Sequence, residues 1–148
     1  MAKGHGHYTE ILEEEFLPVV TKTNFVICHF FHKDFERCKI FDHHLSLIAK
    51  THMEAKFVSM NAERCPFFIA KLQVQVLPTI ICFMDGISVD RIVGFEELGS
   101  KDEFPTLLLA RRLIKSGCLR AMNKKEKGEI KIKRRGDRDD SDSGNDEY

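Results

Sequence analysis

The 148-residue sequence has no apolar run close to the roughly 18–20 residues that span a bilayer. Its N-terminus also lacks a basic stretch followed by an apolar segment and a small-residue cleavage site. A membrane-spanning or secreted chain is therefore not expected, and the reading is a cytoplasmic protein or one shared with the nucleus. A dense, regularly spaced cysteine framework is missing too. The five cysteines, Cys28, Cys38, Cys65, Cys82 and Cys118, are odd in number and scattered. That pattern excludes a disulfide scaffold and makes reduced thiols the default. No internal repeat is visible. What is plentiful is apolar material: 43% of residues are hydrophobic and 12 are Phe, enough for one core but not for two independent ones.

The net charge of zero conceals an arrangement. Residues 1–120 hold 15 basic and 15 acidic side chains, residues 121–135 seven and two, and residues 136–148 one and six. The C-terminal stretch is thus a dipole of +5 followed by −5. With only Met122, Ile130 and Ile132 as larger apolars before Tyr148, it cannot offset its ordering entropy by burial. The expected organisation is an N-terminal extension over 1–7, a folded domain over 8–117 and a disordered, basic-then-acidic tail over 118–148.

Within the folded part, residues 8–22 place apolars at helical spacing, with acids early and Thr9 as a candidate cap. Residues 24–31 form a nearly continuous apolar and aromatic run, as expected of a central strand covered on both faces. Residues 38–53 resume helical spacing, 56–61 read as a strand, and 65–72 read as a short helix with Pro66 in its first position. Residues 75–84 read as a strand ending in Asp85-Gly86, a strong hairpin signal that predicts an antiparallel return over 88–93. A last helix is expected from Pro105 to near Gly117; a start at Ser100, paired with Glu103 as a capping box, competes with it. A βαβ unit joined to a ββ hairpin, with helices on both faces, narrows the fold to a few small α/β types.

Three stretches carry a resemblance to thioredoxins. Phe25-Val-Ile-Cys-His-Phe-Phe, a loop and Cys38-Lys39-Ile40 resemble the active-site strand and helix. Val76-Leu77-Pro78-Thr79-Ile80 followed by Phe83-Met84-Asp85-Gly86 resembles the cis-proline strand and hairpin, and Val93-Gly94-Phe95 resembles the end of the last strand. The implied architecture is a thioredoxin-like α/β fold, a central mixed sheet flanked by helices over about residues 8–116, with Leu77-Pro78 cis. Aligning Cys38 on the second cysteine of the redox motif places Phe35 at the attacking cysteine, His29 at the buried aspartate and Ser59 at the lysine that assists proton transfer. Thiol-disulfide exchange needs a low-pKa attacking thiolate and a resolving partner, so the resemblance implies a fold kept without its redox chemistry.

Further stretches resemble the phosducin-like family: Gly4-His-Gly-His-Tyr-Thr-Glu-Ile11, Cys28-His-Phe-Phe-His with Arg37-Cys-Lys-Ile40, Ala70-Lys-Leu72, Leu98-Gly99, and the acidic Asp140-Ser-Asp-Ser143. That resemblance implies a cytosolic co-factor of the ring chaperonin that folds tubulin and actin, with binding of G-protein βγ subunits in some relatives. It also implies a helical arm upstream of the Gly4 segment, where this sequence has only Met1, Ala2 and Lys3. The expectation is a binding module and not an enzyme, with no cofactor; a monothiol redox protein using Cys38 is the rival. Pro78 and the Phe35 loop form a candidate peptide-facing edge.

Other residues invite chemistry. His5 with His7, His43 with His44, and Cys28, His29, His32 and Cys38 are metal-ligand types, but residues 28 and 29 of a strand face opposite ways. No metal is expected, and His43 and His44 read as an exposed pair. Cys65 before Pro66 is read as a small apolar neighbour of a helix start, against a thiol acidified by the helix N-terminus. Lys131, Lys133, Arg134 and Arg135 are candidate partner contacts and not a nucleic-acid site, and Ser141 and Ser143, set among acids, are candidate phosphorylation sites.

Overall fold

In the computed structural model, residues 5–121, with Lys125 and Gly128, are described. The chain runs β1 (Tyr8–Glu10), α1 (Glu13–Lys22), β2 (Phe25–Phe31), α2 (Glu36–Thr51), β3 (Lys56–Asn61), α3 (Pro66–Lys71), β4 (Thr79–Met84), β5 (Ile87–Val93) and α4 (Thr106–Ile114). One mixed sheet has the order β1-β3-β2-β4-β5. The β1–β3 and β2–β3 pairs are parallel, and β2–β4 and β4–β5 antiparallel.

The apolar run of β2 follows from its central place. Ile27 enters the core under α2 and α4, with Phe41, Leu45, Phe95 and Leu107. Val26, Cys28 and Phe30 enter the opposite core with Phe16, Phe68 and Phe83. A strand between two cores needs apolar residues at both parities. The turn at Asp85-Gly86 has positive φ at both residues, 52° and 84°, as a two-residue hairpin of this twist requires.

Three expectations are corrected. The helix over 8–22 starts only at Glu13, because Tyr8, Thr9 and Glu10 pair with Phe57, Val58 and Ser59 as an edge strand. The start is set at Leu12, whose N–H donates to the Glu15 carboxylate at 2.8 Å, and not at Thr9. β4 begins at Thr79, not near Gln75, since Pro78 has no N–H for the ladder. The later start weighed for the last helix holds to within one residue, with Pro105 as the cap of α4 and Ser100 at φ 58° outside any helix, but the helix ends at Ile114, short of Gly117.

The domain edges also move outward. His5 is buried and its Nδ1 lies 2.7 Å from the Met53 carbonyl, so the domain reaches into the expected 1–7 extension. Cys118 and Leu119 are 1% and 4% exposed and belong to the core, so a tail cannot start at 118. The later tail positions Lys131, Lys133, Arg134, Arg135, Ser141 and Ser143 lie outside the described residues. Among the described residues no helix is long and apolar enough to cross a membrane.

Candidate functional site

β2 ends at Phe31, and its neighbour β4 begins at Thr79 opposite Phe30. This register brings the loop into α2 and the Leu77-Pro78 bond, which is cis, to the same end of the sheet. Phe35 occupies the cap position of α2, 46% exposed, with its ring stacked on His32 at 4.7 Å. Arg37 pairs with Asp102 at 2.8 Å and lies over the Phe95 ring, 4.9 Å from its centroid. Cys38, on the first turn, is 1% exposed and accepts a hydrogen bond from the His32 N–H at 3.5 Å. Burial pushes its thiol up, and the His32 bond reverses only part of that.

Pro78 is itself buried; Val76 and Phe35 are exposed large apolar residues at this end. The Thr79 hydroxyl donates to the Val76 carbonyl at 2.5 Å and the Gly94 N–H to the Pro78 carbonyl at 2.9 Å, which pins the loop. Thiol exchange has little to work with here. Phe35 has no nucleophile, Cys38 is buried as its neutral thiol, and all five cysteines are free.

Beneath the loop lies a network that the sequence reading found only in part. His29 is fully buried on β2, and its Nδ1 is 2.8 Å from the Tyr8 hydroxyl and 3.2 Å from Asp42 Oδ1. The Tyr8 O–H donates to Asp42 at 2.5 Å, so the Tyr8 oxygen is left to accept from His29 Nδ1–H. His29 Nε2 then carries a bare lone pair, with no hydrogen-bond partner among the described residues. Phe31 and Phe41 pack on the ring at 6.0 and 5.6 Å.

Burial lowers the His29 pKa despite Asp42. Burial opposes ionisation of Asp42, but hydrogen bonds from His29 and Tyr8 outweigh it and hold that carboxyl below its ordinary value. Tyr8 is pushed up, chiefly by burial and then by the Asp42 charge. Ser59 is the register partner of His29 on β3. His29 was visible in sequence; Tyr8 and Asp42 carried no signal beyond their types, since the contacts cross 21 and 34 positions of chain.

His43 and His44 are not an exposed pair. His44 is buried, with Nδ1 2.5 Å from the Thr106 hydroxyl and its ring on Phe104 at 4.4 Å. Among the described residues no cluster of three or more His, Cys, Asp or Glu is placed to hold a metal ion. Cys28 and His29 do enter opposite cores. Cys65 caps the six-residue α3, but burial and the Glu13 charge raise its thiol to about 11, so the helix end does not acidify it.

These features define a thioredoxin fold whose dithiol is replaced by an exposed aromatic and a buried thiol. The family model described as Thioredoxin matches residues 7–104, and the chain belongs to that family. Thioredoxin f of spinach chloroplast is 18% identical, with a TM-score of 0.66 over 79% of this chain and 99% of that one. A thioredoxin of Halobacterium salinarum is 14% identical, with a TM-score of 0.65 over 83% and 100%. Both show the shared fold.

Within the family the chain sides with the phosducin-like branch. It is 49% identical to thioredoxin domain-containing protein PLP3B of Arabidopsis thaliana, over 84% of this chain and 54% of that protein. It is 50% identical to phosducin-like protein 3 of Dictyostelium discoideum, over 78% and 62%. It is 42% identical to thioredoxin domain-containing protein 9 of Mus musculus, over 83% and 54%. The chain thus spans between about half and three fifths of the length of these relatives.

Proposed function

We propose that the protein is a redox-inactive, phosducin-like binding module that regulates chaperonin-dependent folding of tubulin and actin in the cytoplasm. The observation that carries this reading is the replacement of the attacking thiol by Phe35 beside a buried, neutral Cys38, in a chain 42–50% identical to phosducin-like relatives. An exposed aromatic, at the same end of the sheet as exposed Val76, suits apolar contact with a protein partner better than thiol chemistry. The basic segment with Lys131, Lys133, Arg134 and Arg135 offers an electrostatic contact to an acidic partner such as tubulin.

Two measurements test the reading. Purified chain added to insulin and dithiothreitol is expected to leave disulfide reduction at background; robust turnover that vanishes in Cys38→Ser would put the monothiol enzyme first. Pull-down of purified chaperonin and of tubulin is expected to succeed, and to weaken when the four basic residues become Glu. Capture of G-protein βγ with neither chaperonin nor tubulin would overturn the assignment in favour of a βγ regulator.

A further inference from the structure

At the end of the sheet opposite Phe35, β2 and β3 begin side by side, with Val26 level with Lys56. A cavity of about 750 Å³ opens there, walled by Val19 and Lys22 of α1, Met53 and Glu54 after α2, Lys56 of β3, and His5. Its size and its mixture of apolar surface with a few polar atoms are those of a binding site.

The charges of the wall are unevenly met. Glu54 is engaged from within the domain: His52 Nδ1 lies 2.7 Å from its Oε2, the Arg120 N–H donates to that oxygen at 2.8 Å, and the Arg120 guanidinium lies 3.7 Å from its Oε1. Lys22 and Lys56 have no ion pair among the described residues. His5 is buried with its Nδ1 2.7 Å from the Met53 carbonyl. A carbonyl only accepts, so Nδ1 carries the proton and Nε2 is the ring's remaining acceptor. The wall thus offers two ammonium groups and an imidazole acceptor beside the apolar Val19 and Met53.

We propose that the acidic segment 137–148 of this chain docks in the cavity, its carboxylates on Lys22 and Lys56 and Tyr148 against Val19 and Met53. The path of the chain favours this occupant. Arg120 is bonded to the wall residue Glu54, so the last stretch sets out from the rim of the cavity itself. Asp142 is 22 residues beyond Arg120, an extended reach of roughly 75 Å, so the segment can return to the rim. Attachment also makes docking intramolecular, at an effective concentration far above that of a free peptide.

Charge and composition favour it as well. Residues 136–148 hold six acids and one base, and Tyr148 is the one aromatic after Phe104, so the segment matches both the ammonium groups and the apolar part of the wall. The rival partner for these acids is the basic stretch 121–135. Exposed ion pairs within one stretch are worth little, whereas groups against a cavity wall lose less to solvent screening. With its acids held on the domain, the basic stretch is left unneutralised, whatever partner it meets.

The test is zero-length carbodiimide coupling of carboxylates to amines in the full chain, with the monomer isolated and its peptides mapped by mass spectrometry. The acids of 137–147 are expected to couple chiefly to Lys22 and Lys56, with a yield that falls several-fold between about 0.02 M and about 0.5 M salt. Lys22→Gln with Lys56→Gln should abolish coupling to the domain and not move it to other lysines. In NMR spectra of the full chain, Asp142→Asn, Asp146→Asn and Glu147→Gln together should shift the amide resonances of the wall residues Thr23, Asn24 and Met53. Coupling mainly to the lysines of 124–133, or spread over exposed domain lysines such as Lys39 and Lys101, would overturn the proposal, as would unchanged resonances at the wall.

Discussion

Acidification should weaken this domain through one residue, His29. Its Nδ1–H is committed to the Tyr8 oxygen and its Nε2 faces no acceptor among the described residues, so a second proton would form a buried N–H with nothing to bond. The groups facing the ring are Asp42 and Tyr8, and both sit on its Nδ1 side. Burial lowers the folded-state pKa against the pull of Asp42. The unfolded chain therefore takes up the proton first, and stability rises with pH wherever it does. The His29 contribution is whole above about pH 7 and is lost as pH falls below the unfolded value of about 6.5.

While the folded imidazole stays neutral, the loss is RT ln(1 + 10^(6.5 − pH)), about 1.4 kcal/mol at pH 5.5 and about 2 kcal/mol at pH 5.0. Against a typical total of about 5–15 kcal/mol this is measurable. The assay is urea denaturation followed by far-UV circular dichroism between pH 7.5 and 5.0, on wild type and His29→Gln. Contributions common to both proteins cancel in the difference between the two curves, which is the quantity read. The wild type should lose more stability than the variant by pH 5.0, with about 2 kcal/mol as the ceiling reached if the folded imidazole stays neutral throughout. Parallel curves across that range would refute the assignment of a neutral, proton-resistant His29.

Two further outcomes are expected. Phe41, fully buried against Phe95 at 4.7 Å, should cost about 3–5 kcal/mol as Phe41→Ala, whereas Phe35→Ala should cost less than about 1 kcal/mol; equal shifts of the urea midpoint would mean that Phe35 is a structural residue and not a surface one. Ending the chain after residue 121 should leave the melting temperature nearly unchanged, since the removed stretch holds only three larger apolars besides the terminal Tyr148. Ending it after residue 117 also removes buried Leu119, worth about 1.5–3 kcal/mol, together with Cys118; indistinguishable melts for the two truncations would contradict the revised domain edge.

The amino-acid order alone determined what depends on short-range pattern. Alternation and helical spacing placed β2, α2, β3 and α3, because a strand between two cores or a one-sided helix writes its burial directly into neighbouring residue types. Asp85-Gly86 announced the β4–β5 hairpin, since two successive positive φ values demand such residues. Phe35 stands where the thioredoxin resemblance would put an attacking cysteine, and that substitution is local in the sequence. Tertiary structure decided what depends on distant partners. Tyr8 reads as helical until the edge of β3 offers it a ladder, and only that register carries its hydroxyl to His29 and Asp42. His44 reads as surface until Phe104 and Thr106 cover it. Cys118 reads as the start of a tail until its thiol donates to the Phe83 carbonyl of β4. Each of these meetings follows from how strands are ordered and where a crossover lands, and no local window of sequence contains that information.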